Sequence, residues 1–297
     1  MASETAARAA RLMDAEIRRI ERAGIRSGNA AAARLRAEVL RAWLRGGDLY
    51  APLDGWIRRT SAVLADAMAA AYLQGRLRAR ATARRAERGL NMAQTIGSAM
   101  DDFGDRLGLS ESAVRQLAEY FSQQATSRVV DAGQMFRSKV ADAAANAVQS
   151  GLSVRSGASL IRDAMDAAGV TTTNPYLAET LYRTSLQESY AAARWQANQN
   201  PATQEILWGY EYAATLDDRT TELCADADGV RRPKGDVFWS RYAPPNHWNC
   251  RSQIIEIFFG DDEAAATAVP VLPLPQEGFQ ANFGDLFANV PLVASFA

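Results

Sequence analysis

"YAPPNHWNCR", residues 242–251, holds the only histidine of the 297-residue chain, His247, three residues before Cys250, one of two cysteines. Pro244 and Pro245 stand directly in front of it. A proline locks its own φ and removes a backbone donor, so this run reads as an extended turn rather than as helix. A metal site, a catalytic site and a buried knot closing a small domain would all concentrate rare side chains in this way. Which of these applies decides how the last third of the chain is read.

Working outward, the period of apolar residues is 2 on both sides of this run. "ILWGYEY" places Ile206, Trp208, Tyr210 and Tyr212 on one face, the pattern of a half-buried strand. "SQIIEIFFG" predicts a second strand over Gln253 to Phe259. "DADG" (226–229) and "RPKGD" (232–236) between them are turn chemistry. Upstream, "GLSVRSGASLIRDAMDAAGV" predicts a short helix with loop flanks. A longer helix follows, capped by Asn174 with Pro175 at its first position and lined by Tyr182, Leu186 and Tyr190. Residues 151–262 therefore read as a small α+β unit.

The first 150 residues predict helix almost throughout. Alanine is abundant, Pro52 is the single proline before Pro175, and apolar stripes recur at helical spacing. Leu64, Met68 and Tyr72 form one stripe, and Val114, Leu117 and Phe121 another. Breaks are expected near Gly28, from Gly46 to Gly55, near Gly89 and near Gly108, with one long helix from Trp56 to Arg88. After residue 262 comes a Pro- and Ala-rich stretch of extended character, then a tail in which Phe283, Leu286 and Phe287 cluster. Such a tail docks on its own chain or on a partner. The fold class is mainly α with a small α+β domain: a helical arm (1–150), a β-hairpin-rich domain (151–262) and an extended tail (263–297).

Composition is that of an ordinary globular chain, 48% hydrophobic and 23% charged, and its net charge of −1 conceals a gradient. The balance is +9 over residues 1–100, −2 over 101–200 and −8 over 201–297. The positive part is almost all arginine and peaks in "GRLRARATARRAER", where Arg76, Arg78, Arg80, Arg84 and Arg85 form a basic helix face. That face suits DNA or an acidic partner, and equally a solvated surface. No aromatics interleave with it, which argues against single-strand stacking. No run approaches the roughly 20 apolar residues of a membrane span. "MASETAARAARL" lacks an apolar signal region, so no secretory signal is expected. Two cysteines are too few for a disulfide framework and suit cytosolic synthesis.

A single histidine excludes HExxH sites and multi-histidine metal centres, and there is no phosphate-binding loop, dinucleotide fingerprint or GxSxG elbow. "CADADGVRRPKG" (224–235) imitates a calcium loop but has Cys224 at its first position and Gly235 at its last. The chemistry left is Cys224, His247 and Cys250. Three readings stay open: a tetrahedral zinc completed by Asp217, Asp226 or Asp228, a buried structural cluster, or a cysteine nucleophile with His247 as base.

"LYRTSLQESYAAARW", "TLDDRTTELCADADG" and "PPNHWNCRS" together resemble the Mu F-like, SPP1 gp7-like phage head morphogenesis family. The resemblance rests on Arg183 and Thr184, then Asp217, Arg219, Thr220, Cys224, Asp228 and Gly229, then Pro244, Pro245, His247, Cys250 and Arg251. It covers about residues 150–258. It implies a minor head protein of a tailed bacteriophage, sited in the head interior or at the portal vertex and in the host cytoplasm during assembly. The partners implied are portal protein, major capsid protein and viral double-stranded DNA, with no membrane and with a role in packaging or ejection. Many members carry further cysteines where this chain has Thr221 and Ser252. That departure favours a structural Cys224–His247–Cys250 cluster without cofactor over zinc. It also leaves Asp217 and Arg219 as turn-fixing groups. No general acid/base pair is apparent and no enzymatic activity is expected; the alternative is a zinc-dependent hydrolase or effector ejected with the genome.

Overall fold

Alanine-rich sequence with apolar residues every third or fourth position produces long helices, and they dominate the chain. The computed structural model describes residues 4–88, 110–170 and 176–286, without side-chain detail for 4–17, 80–88, 111, 177, 178, 283 and 286. The helices are α1 (Glu4–Leu44), α2 (Ala51–Arg88), α3 (Glu111–Gln149), α4 (Val154–Ala167), α5 (Tyr176–Asn198) and α6 (Pro201–Ile206). The small sheet follows as β1 (Leu207–Ala213), α7 (Glu222–Ala227), β2 (Arg231–Pro233), α8 (Phe238–Tyr242) and β3 (Gln253–Phe258), and α9 (Phe283–Leu286) comes last. The expected mainly helical chain with a small β-containing part is therefore observed.

Helix boundaries differ from expectation in two places. Gly28 does not break α1, which runs through it; one helix-interior glycine costs only about 1 kcal/mol, and the alanines around it offset that. The predicted break from Gly46 to Gly55 is shorter, because Pro52 sits in the first turn of α2, where no intrahelical donor is lost. The breaks near Gly89 and Gly108, the Asn174–Pro175 cap and Phe287 fall outside the described residues. The side chains of Phe283 and Leu286 do so too.

Two compact units make up the chain: residues 21–67 with 118–183, and residues 1–20, 68–117 and 184–297. In the first, Phe121, Ala125, Val129, Phe136 and Val140 line the buried stripe of α3. Arg36 is buried there and pairs with Asp166, and it donates to the Val170 carbonyl at 2.8 Å. Ser153 caps α4 by accepting from the Ser156 amide.

The second unit contains the sheet. Its order is β2-β1-β3 with both pairings antiparallel. Gly209 of β1 faces Pro233, and a Cβ there would come within 2.2 Å of the Arg232 carbonyl oxygen, so only glycine lets β2 approach. The core gathers Leu207, Tyr210, Tyr212, Leu223, Trp239, Cys250 and Ile254. Trp195 of α5 stacks on Tyr210 at 5.3 Å, and Trp239 meets the same ring edge-on.

The half-buried-strand expectation is corrected here. Ile206 ends a helix instead of starting the strand, and Leu207, Gly209 and Glu211 on the second face are buried as well. Residues 263–267 cover that side: Arg231, beside Glu211, donates to the Glu263 carbonyl, and Thr267 bonds to the Arg231 backbone.

The Pro- and Ala-rich stretch is extended as expected, and it docks on this same unit. The Gln276 amide donates to the Asn246 carbonyl, and buried Phe279 meets Trp248 edge-on at 5.3 Å. Asn282 donates to the Trp239 carbonyl, and Gln196 to that of Gly284.

Candidate metal centre

Three peptide segments converge on Cys224. The first is β1, which brings Tyr212. The second is the turn from Thr215 to Thr221 that leads into α7, where Thr220 Oγ1 accepts from the Asp217 amide and Asp217 Oδ1 accepts from the Arg219 amide. These bonds fix the turn and deliver Cys224 into the core at the first turn of α7. The third is the loop 242–251. It contains a cis Pro244–Pro245 bond, and Asn249 has φ +62°, a left-handed conformation that asparagine tolerates better than most residues. The Asn249 amide donates to Thr184 Oγ1 of α5 at 3.1 Å, so the loop is pinned where it reverses.

The resulting cluster is tight. Cys224 Sγ lies 3.3 Å from His247 Nε2 and 3.9 Å from Cys250 Sγ, and the three donor atoms lie within 4.8 Å of one another. Both cysteines are free and buried. Nδ1 of His247 donates to the Trp248 carbonyl at 2.8 Å, which in the neutral ring leaves the Nε2 lone pair facing sulfur. Tyr212 Oη lies 3.2 Å from Cys224 Sγ and itself accepts from Asn246 Nδ2 at 3.0 Å, directing the phenolic proton to sulfur.

The electrostatics follow from these contacts. A hydrogen bond from Cys250 lowers the pKa of the Cys224 thiol against the cost of burial, and bonds from His247, Ser252 and Thr221 add to the effect. Burial pushes the Cys250 thiol well up, and its neighbour Cys224 pushes it further. Burial opposes charge on His247, but its bonds to Cys224 and to the Trp248 carbonyl outweigh that and raise its pKa. The hydrogen bonds around Cys224 thus lower its pKa in spite of its burial.

Several of the other predicted residues tie the surrounding segments together. Arg251 forms a bidentate pair with Asp217, at 2.5 and 2.6 Å, which ties the third segment to the second. That bond and the Arg219 amide hold the Asp217 carboxyl well below the usual range. Arg219 itself stands 3.9 Å from Asp217 and is exposed. Asp228 accepts from the Ala214 amide, and Gly229, at φ +77°, donates to the Tyr212 carbonyl, joining α7 to β1. Arg183 lies in the other unit and pairs with Glu21 and Glu179.

Asp217, Asp226 and Asp228 are not part of the three-donor group; Asp217 is engaged with Arg251 and Asp228 with the backbone. A shallow depression opens over the cluster, lined by Thr215, Thr220, Thr221, Asn249, Arg251 and Ser252 among others. Cys224 is only 2% exposed to it. Sequence reasoning missed Tyr212 and Asn246 as partners of the sulfur. The sole signal for them was their position, one in a predicted strand and one inside the opening motif.

The basic helix face is placed only in part. Arg76 is buried and Arg78 half-buried, because this stretch of α2 packs against α5. Arg80, Arg84 and Arg85 have no described side chains. Among the described residues, no helix is long and apolar enough to cross a membrane.

Residues 138–255 match a family model described as Phage Mu protein F like protein. The chain is similar to the putative capsid assembly protein F of Escherichia phage Mu, with 27% identity over 116 residues, 39% of this chain and 23% of the relative. The match thus spans about a quarter of that relative's length. No solved structure matches the chain. The segment whose motif is gathered into this clasp is thus the segment that is similar to the phage Mu protein F like family.

Proposed function

We propose that this chain is a minor head protein of a tailed bacteriophage, acting in capsid assembly by binding portal or capsid subunits from the head interior. One observation carries the reading: within the segment that matches the Mu F-like family, Thr184, Asp217, Cys224, His247, Cys250 and Arg251 converge on a single clasp. Asp217, Arg251, Thr184, Asp228 and Gly229 all hold loops together, which is the pattern of a scaffold. The phage Mu relative, a putative capsid assembly protein, points the same way. The basic stretch around Arg80, Arg84 and Arg85 is the part offered to packaged DNA, since Arg76 is buried.

The test is co-expression of the chain with the portal and major capsid proteins of the phage genome that encodes it, followed by purification of heads. The chain is expected to co-purify with heads in few copies and to crosslink to portal or capsid subunits. Heads that form normally and never contain it would overturn the reading.

A further inference from the structure

Cys224, His247 and Cys250 carry more than a hydrogen-bonded clasp requires. Two buried thiols in contact would bond at about 2 Å if oxidised, yet here the sulfurs stand 3.9 Å apart. Around a tetrahedral zinc, with metal–sulfur bonds of about 2.3 Å and metal–nitrogen bonds of about 2.0 Å, the sulfur–sulfur edge is ~3.8 Å and the sulfur–nitrogen edge ~3.5 Å. The observed 3.9 and 3.3 Å lie close to two of the three edges, and the third, from His247 Nε2 to Cys250 Sγ, is within 4.8 Å. The histidine also presents the correct nitrogen, because Nδ1 is held by the Trp248 carbonyl, the arrangement that orients metal-bound imidazoles.

We propose that these three side chains bind one zinc-class divalent ion through Sγ, Nε2 and Sγ, with the fourth position left to water or a small anion. The structure favours an open fourth position. The donor group contains three residues, and no carboxylate joins it among the described residues. The other residues that bond to the Cys224 sulfur are Tyr212, Thr221 and Ser252, all hydroxyls. A neutral hydroxyl is a poor match for zinc beside two thiolates, whereas it serves well in orienting a bound water. The depression above the cluster, lined by Thr215, Thr220, Asn249 and Arg251, provides access from that side. The inference rests on side-chain placement alone and stands or falls separately from the capsid-assembly reading.

The experiment uses the full chain, stripped of metal and reloaded with cobalt(II) under reducing conditions. Stoichiometric uptake is expected, with sulfur-to-cobalt charge-transfer bands and the intense visible bands of a four-coordinate ion. Azide should shift the visible bands by entering the fourth position. Ser252→Cys should keep the ion, change the spectrum toward three sulfurs and abolish the azide response. Tyr212→Phe should weaken affinity about 10-fold by removing a bond to the ligand sulfur. Cys250→Ser and His247→Gln should lose the sulfur–cobalt spectrum or weaken binding sharply, with folding checked by circular dichroism. A folded wild-type chain that takes up no cobalt overturns the site. A cobalt complex that ignores azide overturns the open fourth position.

Discussion

Arg194 and Glu256 are each about 2% exposed and form an ion pair inside the core, with Asn198 donating to the second carboxylate oxygen at 3.0 Å. Removing one partner leaves the other charge buried and uncompensated. Glu256→Gln and Arg194→Met are each expected to destabilise the chain by about 3–5 kcal/mol, read from chemical denaturation. The double change to apolar residues should recover much of that loss. Asp217 gives a second expectation at this scale. Its carboxyl is held below its ordinary value in the folded chain by Arg251. The unfolded chain therefore binds more protons near and below the ordinary carboxylate pKa of about 4. The stabilisation is complete above that pH and is lost as pH falls through the depressed value. Asp217→Asn should flatten the acid side of a plot of urea midpoint against pH. The grouping of Cys224, His247 and Cys250 was legible in the motif order, since "DDRTTELC" and "PPNHWNC" are the places where the chain must turn. Tyr212 and Asn246 were not legible as partners, because a tyrosine in an alternating strand says only which face it lies on.

At the scale of elements, Gly209 and the strap after residue 262 carry the most weight. Gly209→Ala would force its Cβ against the Arg232 carbonyl, so β2 must move away. A loss of about 1–3 kcal/mol is expected, with hydrogen-exchange protection falling first at the Arg231–Pro233 strand. Phe279 is buried by the strap that packs on the loop of His247. Phe279→Ala should cost about 3–5 kcal/mol in denaturant titrations, although the residue lies in a stretch that composition alone reads as linker. Helix periodicity gave α2 and the α3 stripe well, because a buried stripe repeats over several turns. It failed at Gly28, where one glycine's local cost was smaller than the helical drive of its neighbours. Strand alternation, for its part, missed the second face of β1, whose cover comes from residues distant in sequence.

For the whole molecule, the charge gradient and the family segment point to different parts of the chain. The Mu F-like segment ends at residue 255, and the basic surplus lies in the first hundred residues. If the proposed DNA contact is made by Arg80, Arg84 and Arg85, replacing all three with glutamine should lower the salt slope of double-stranded DNA binding by about one per arginine. An unchanged slope would remove DNA from the proposed partners. Sequence by itself determined the helical dominance, the strand pair and the order of the motif, because periodicity and turn residues are local quantities. Only the tertiary structure decided that Arg76 is buried, that the extended stretch after residue 262 is part of the domain, and that two cysteines and a histidine meet within 4.8 Å. Those outcomes depend on which distant segments cover one another, and on the close approach that Gly209, Asn249 and the Thr215–Thr221 turn permit.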